Sequence, residues 1–153
     1  MGVISTLQSA ELFSGLTIQQ LEALAEVGKK QIFHQGDVIL KEGEQSTEIS
    51  IVISGQVEVI SELAENAASL VILGAGQSFG EMSLLDAGPR SASIRCLSDE
   101  TEIYTFPRDA LLSFWDQECR VGYTMMFNIA RDLAFKLRIR NLTCAMPQGE
   151  ATL

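Results

Sequence analysis

The chain has 153 residues, 46% of them hydrophobic and 20% charged, with a formal net charge of −9. That is the size of one domain with a real apolar core, and the composition is too hydrophobic for a disordered chain. The acidic balance argues against nucleic acid as a direct partner, because phosphate binding depends on clustered Lys and Arg. No uncharged apolar run approaches the ~20 residues of a membrane-spanning helix.

Other global features point to a cytoplasmic protein. "MGVISTLQSAELF" has neither a basic n-region nor a continuous apolar h-region, so no secretory leader is expected. The cysteines Cys96, Cys119 and Cys144 are odd in number and widely spaced, which suits reduced thiols better than disulfides or a metal site. Charge is uneven: residues 1–118 carry 18 acids and 6 bases, residues 119–153 carry 5 bases and 2 acids. The cations at 131–140 read most simply as groups answering the dipole of a helix C-terminus.

The first element is a helix in "LTIQQLEALAEVGKK". Thr17 and Gln20 form a capping box, and Leu16 can staple onto Leu21. From residue 30 the hydrophobic period shortens. "EISIVI" and "QVEVI" flank Ser54-Gly55, which reads as a hairpin. "SELAEN" is a polar loop, "ASLVIL" a further strand, and "SASIRCL" and "TEIYTF" two more around "SDE". Six or seven short strands at near-regular spacing predict an antiparallel barrel or jelly roll.

Pro107 suits the first position of a following helix, with Asp109 in its first turn. A longer helix is predicted from Cys119 to Asn141. Its apolar residues form two stripes, Met126-Ile129-Leu133-Leu137 and Tyr123-Phe127-Phe135-Ile139. Two apolar faces need two surfaces, and the barrel and a second copy of the chain are the simplest. Phe114, Trp115 and the Met125-Met126 pair are expected in the core. Residues 142–153 read as a tail.

The segment "FGEMSLLDAGPRSASI", residues 79–94, carries the chemistry. It holds Glu81 and Arg90 among small and apolar residues. An internal ion pair would explain both charges, but not Gly80 or the small residues beside Arg90, which leave backbone open to close approach. "SLLDAG" has room for one helical turn whose first N–H groups suit an anion. Arg90 adds a fork of donors; at ~4 Å and an effective dielectric near 20 its attraction for a phosphate is worth roughly 4 kcal/mol before desolvation. Glu81 would repel a phosphate, so it makes sense beside one only by accepting from an attached hydroxyl. Phosphate, hydroxyl and an apolar wall together describe a nucleotide.

This stretch resembles the phosphate-binding cassette of the cyclic nucleotide-binding domain family, F-G-E-x-[AS]-L-L followed after about five residues by R-[STA]-A-[ST]-[VI]. The resemblance continues upstream through the glycines at 36, 43 and 55 and covers roughly residues 12–141. It implies a mainly β fold, an antiparallel jelly roll (double-stranded β-helix) with an N-terminal helix and two C-terminal helices. The corresponding divisions are an N-terminal helical part at 1–29, the jelly roll at 30–106, C-terminal helices at 107–141 and a tail at 142–153.

By resemblance, Glu81 would take the ribose 2′-hydroxyl. Arg90 would pair with the cyclic phosphate, helped by the N–H groups of Gly80, Met82 and Ala92 and the hydroxyl of Ser91. Val59, Leu70 and Val71 would lie along the base. Members selective for cGMP usually carry Thr where this chain has Ser91, which leans toward cAMP with cGMP as the second choice. The base-capping residue on the last helix is open among Lys136, Leu137, Arg140 and Asn141.

About a dozen residues follow Asn141, too few for a helix-turn-helix. The expectation is a sensor without its own output, acting through a homodimer along the last helix or through an effector protein. The competing reading is an interaction module whose cassette no longer binds ligand. No enzyme is expected: His34 alone cannot build a cupin-type metal site, and no nucleophile–base arrangement is visible.

Overall fold

The computed structural model describes residues 2–61 and 68–145, with the side chains of 68–70 and 143–145 left out. The polar loop predicted around 62–67 and the tail beyond 145 lie outside the described residues. Strands β1 (Lys29–His34), β2 (Val38–Leu40), β3 (Ile49–Ser54), β4 (Val57–Ser61), β5 (Ala68–Leu73), β6 (Ser78–Phe79), β7 (Ser93–Cys96) and β8 (Glu100–Phe106) form two antiparallel sheets. Their orders are β1-β8-β3-β6 and β2-β7-β4-β5. Helix α1 (Val3–Ser9), a 3-10 turn (Glu11–Phe13) and α2 (Ile18–Ala25) precede them. Helix α3 (Glu81–Asp86) separates β6 from β7, and α4 (Arg108–Gln117) and α5 (Cys119–Ala145) follow β8. This is the jelly roll with flanking helices that the sequence implies.

The predicted hairpin at Ser54-Gly55 is wrong in one respect. β3 and β4 belong to different sheets, so the turn is a crossover between layers. The turn between β7 and β8 crosses back in the same way, and the two interlock: Leu97 N–H donates to Gln56 O at 2.9 Å and the Thr101 hydroxyl at 3.3 Å. Gly55 has φ +86°, and a Cβ there would fall 2.5 Å from Thr101 Oγ1. Turn chemistry marks the reversal, but not which strand the next one pairs with.

β3 is buried from Ile49 to Ile53, with the hydroxyl of its Ser50 paired to Thr105 Oγ1 at 3.0 Å. Ile49, Ile51 and Ile53 join a core with Leu7, Phe13, Leu21, Leu24, Phe106, Leu111 and Met125, beneath the helices. Val52 points the other way, between the sheets, with Val57, Phe79, Ile94 and Ile103. A strand buried on both faces needs no polar alternation. Each fully buried Ile or Leu contributes about 1.5–3 kcal/mol.

The helix-start signals in α2 are present. Gln20 N–H donates to Thr17 Oγ1 at 3.1 Å and Thr17 N–H to Gln20 Oε1 at 2.9 Å. Leu16 packs on the core that holds Leu21. Pro107 is the N-cap of α4 rather than its first residue, with ψ 138° outside the helical range. On α5 the inward stripe is Val121, Met125 and Ile129, joined by partly buried Leu133. Met126 and Leu137, predicted for that stripe, are exposed with Tyr123, Phe127, Phe135 and Ile139. The helix is apolar nearly all round this region, so periodicity alone could not choose the phase.

Candidate functional site

The cassette folds as a short arm against the mouth of the barrel. Gly80 caps α3 from the left-handed region, φ +96°, a conformation that disfavours any side chain. Its backbone lies so close to β3 that a Cβ would fall 2.6 Å from Glu48 O. The first N–H groups of α3 have no helical carbonyl to reach.

Arg90 is 4% exposed. Nε donates to Ser46 Oγ and Nη2 to Glu48 O, each at 2.8 Å. Nη1 is fully buried and has no partner. Burial pulls the Arg90 pKa below its ordinary value, and the charges of Glu48, Glu44 and Glu81 only partly restore it. The guanidinium is therefore desolvated and held by two bonds, with donor capacity to spare.

Glu81 is braced separately. It is 9% exposed and its Oε1 accepts from the Ser78 hydroxyl at 2.7 Å. None of the ion pairs among the described residues joins Glu81 to Arg90. The internal salt bridge is thus not what these two residues form.

Both open onto one cavity of about 310 Å³. Gly80, Glu81, Met82, Arg90, Ser91 and Ala92 make its polar side; Leu40, Val59, Val71, Leu73 and Ile94 make its apolar side. Every predicted site residue lines it except Leu70, whose side chain lies outside the described residues. A larger hollow of about 750 Å³ continues from it past Val71, Leu73 and Glu81 to α5, where Asn128, Asp132, Phe135 and Lys136 close it.

Of the four capping candidates, Lys136 lines the cavity; Leu137, Arg140 and Asn141 are exposed and do not. Lys136 Nζ pairs with Asp132 Oδ2 at 2.9 Å. Burial lowers its pKa, but the Asp132 hydrogen bond and the charges of Glu81 and Asp132 outweigh that and leave it raised. His34 ends β1, the first strand, and lines neither hollow; its Nδ1 lies 3.3 Å from Asp99 O. No group of three His, Cys, Asp or Glu side chains among the described residues is arranged to hold a metal, and none of the helices among them is long and apolar enough to cross a membrane.

Sequence reasoning missed the braces: Ser46, Glu48 and Ser78. It also missed Asn128, 8% exposed on α5, whose Nδ2 donates to Leu12 O at 3.0 Å and Ser14 O at 2.9 Å. A lone Asn inside "MMFNIA" was the available signal.

The sequence profile described as "Cyclic nucleotide-binding domain" matches residues 30–118. The chain belongs to the cyclic nucleotide-binding domain family. It is 30% identical over 128 residues to the cyclic AMP receptor protein of Thermus thermophilus, covering 83% of this chain and 59% of that one. It is 35% identical over 95 residues to a cGMP-dependent protein kinase of Eimeria tenella, covering 62% of this chain and 9% of the kinase. The crystal structure of the Thermus thermophilus catabolite activator protein superposes with a TM-score of 0.80 at 31% identity, covering 90% of this chain and 62% of that one. The chain thus spans about three fifths of the bacterial relative's length, and the cyclic nucleotide-binding domain is the part they share.

Proposed function

We propose that this chain is a regulatory module that binds a cyclic nucleotide, cAMP in preference to cGMP, and has no catalytic step of its own. The observation that carries the reading is the buried Arg90 guanidinium, with Nη1 unpartnered, on the wall of a cavity. A desolvated cation is costly unless an anion completes it. A cyclic phosphate on Arg90, with the N–H groups of Gly80, Met82 and Ala92 and the Ser91 hydroxyl, supplies that anion. Glu81 accepts from the ribose 2′-hydroxyl, and the base lies along Val59, Val71 and, by resemblance, Leu70. Ser91 in place of Thr is the support for adenine.

The signal leaves through α5. Lys136 and Asp132 reach the hollow next to the cavity, so a bound ligand that contacts them favours one helix position over another. The exposed face of Tyr123, Met126, Phe127 and Leu137 supports a homodimer along α5, with an effector protein reading its position in the cytoplasm. Calorimetry with cAMP, cGMP and a cyclic dinucleotide tests the reading. Saturable binding of cAMP, tighter than of cGMP, is expected; no heat and no competition at millimolar ligand overturns it.

A further inference from the structure

One polar contact ties the cassette to the C-terminal helices. Arg108 Nε donates to Leu84 O at 2.7 Å. Leu84 lies in the last turn of α3, where carbonyls have no N–H four residues on. The chain leaves the helix at Ala87 in the left-handed region, and the Ala87 N–H goes to Ser83 O. The next N–H, of Gly88, is taken by Asp86 Oδ1 at 2.8 Å. The Leu84 carbonyl therefore draws its donor from a distant element, and that donor is the first residue of α4.

The same two helices also contribute side chains to one hydrophobic core. Leu84 is 2% exposed and belongs to the core that contains Leu111 and Trp115 of α4. Trp115 in turn meets α5 at close range: a Cβ on Gly122 would fall 2.8 Å from Trp115 Cβ. α3, α4 and α5 are thus linked in series from the cassette outward.

We infer that Arg108 is a positioning residue that transmits the placement of α3 to α4 and, through Trp115 and Gly122, to α5. The inference rests on the reading that the cassette binds a cyclic nucleotide. Close apolar packing transmits displacement, and an N–H···O bond, which weakens steeply with distance and angle, adds a fixed direction to it. When α3 moves with a ligand, Arg108 follows it or loses the bond.

The test uses the full chain and its single tryptophan, Trp115, as a reporter on α4. Arg108→Met keeps the length of the stem and removes the donor. Arg108→Gln puts an N–H back at the position of Nε without the charge. Calorimetry gives cAMP affinity, and Trp115 emission gives the response of α4. In the wild type, cAMP binds and changes the emission. R108M is expected to bind with less than about a fivefold change in Kd, the low end of coupling between sites, and to lose most of the emission change. R108Q is expected to restore it.

A wild type that binds no cyclic nucleotide overturns the proposed function and this inference together. A wild type that binds without an emission change, or an R108M chain that responds as the wild type does, overturns the inference alone. If neither variant folds, Arg108 serves stability only, and the inference is likewise overturned.

Discussion

Gly80 and Arg90 are packed so closely that a methyl group added at Gly80 would fall 2.7 Å from Arg90 Nη1. The glycine thus keeps clear the one guanidinium nitrogen that has no partner. Gly80→Ala combines a left-handed φ with that collision and with the approach to Glu48 O. Strain of this kind costs on the order of 1–3 kcal/mol, a fall of several degrees in Tm for a chain of this size. Calorimetric melting measures that part. cAMP affinity should fall as well, because any shift that accommodates the methyl group displaces Nη1.

Arg90→Leu should weaken cyclic nucleotide binding by about two orders of magnitude. Two charge-assisted hydrogen bonds at about 1.5 kcal/mol each amount to roughly a hundredfold in Kd. Glu81→Ala should weaken cAMP but leave a residual affinity through the phosphate. A titration with 2′-deoxy-cAMP separates the two roles: removing the 2′-hydroxyl should hurt the wild type and leave the Glu81 variant nearly unchanged.

Asn128→Leu should destabilise the fold by about 1–3 kcal/mol, since the Leu12 carbonyl would lose its donor in a buried setting and the Ser14 carbonyl in a half-buried one. A denaturant titration reads this as a lower midpoint with an unchanged slope.

Phe127→Glu on α5 tests the proposed dimer. Phe127 is 55% exposed and packs only beside Tyr123 and Arg131 among the ring contacts of α5. Sedimentation should show a dimer for the wild type and a monomer for the variant, with an unchanged melting midpoint at low protein concentration. A wild-type monomer would remove this part of the proposal.

Alkaline pH should expose the role of Tyr104. Burial raises its pKa, assisted by Glu26, and its hydroxyl donates to Ala25 O. The folded chain therefore holds the phenolic proton more tightly than the unfolded one. That stability is full below about pH 10, the ordinary phenol value, and is lost as pH rises through the folded pKa. Tyr104→Phe should lower stability at neutral pH and flatten the decline above about pH 10.

The cassette was legible because its chemistry is local: Gly80, Glu81, Arg90 and Ser91 sit within a dozen positions, and their residue types restrict what can bind. Its supports were not legible. Ser46 and Glu48 act on Arg90 from more than forty residues upstream, through a loop that carries no pattern of its own. Ser78 is near Glu81 in sequence, but a serine in a strand signals nothing until its hydroxyl is placed. The layers were read correctly as β, while the sheet partners of β3 and β4 were not, because pairing is decided by long-range packing. The same holds for α5, where Met126 and Met125 differ in sequence by one step and in environment by a full face of the helix.

The amide of Asn128 joins two distant stretches of the chain. By gripping the turn at Leu12–Ser14 it gears the amino-terminal end of the domain to α5, more than a hundred residues further along the chain. On the proposed reading, in which α5 shifts with a bound ligand, a fluorescent protein or an enzyme half spliced ahead of α1 would be carried along with α5 and would report the ligand from the amino end.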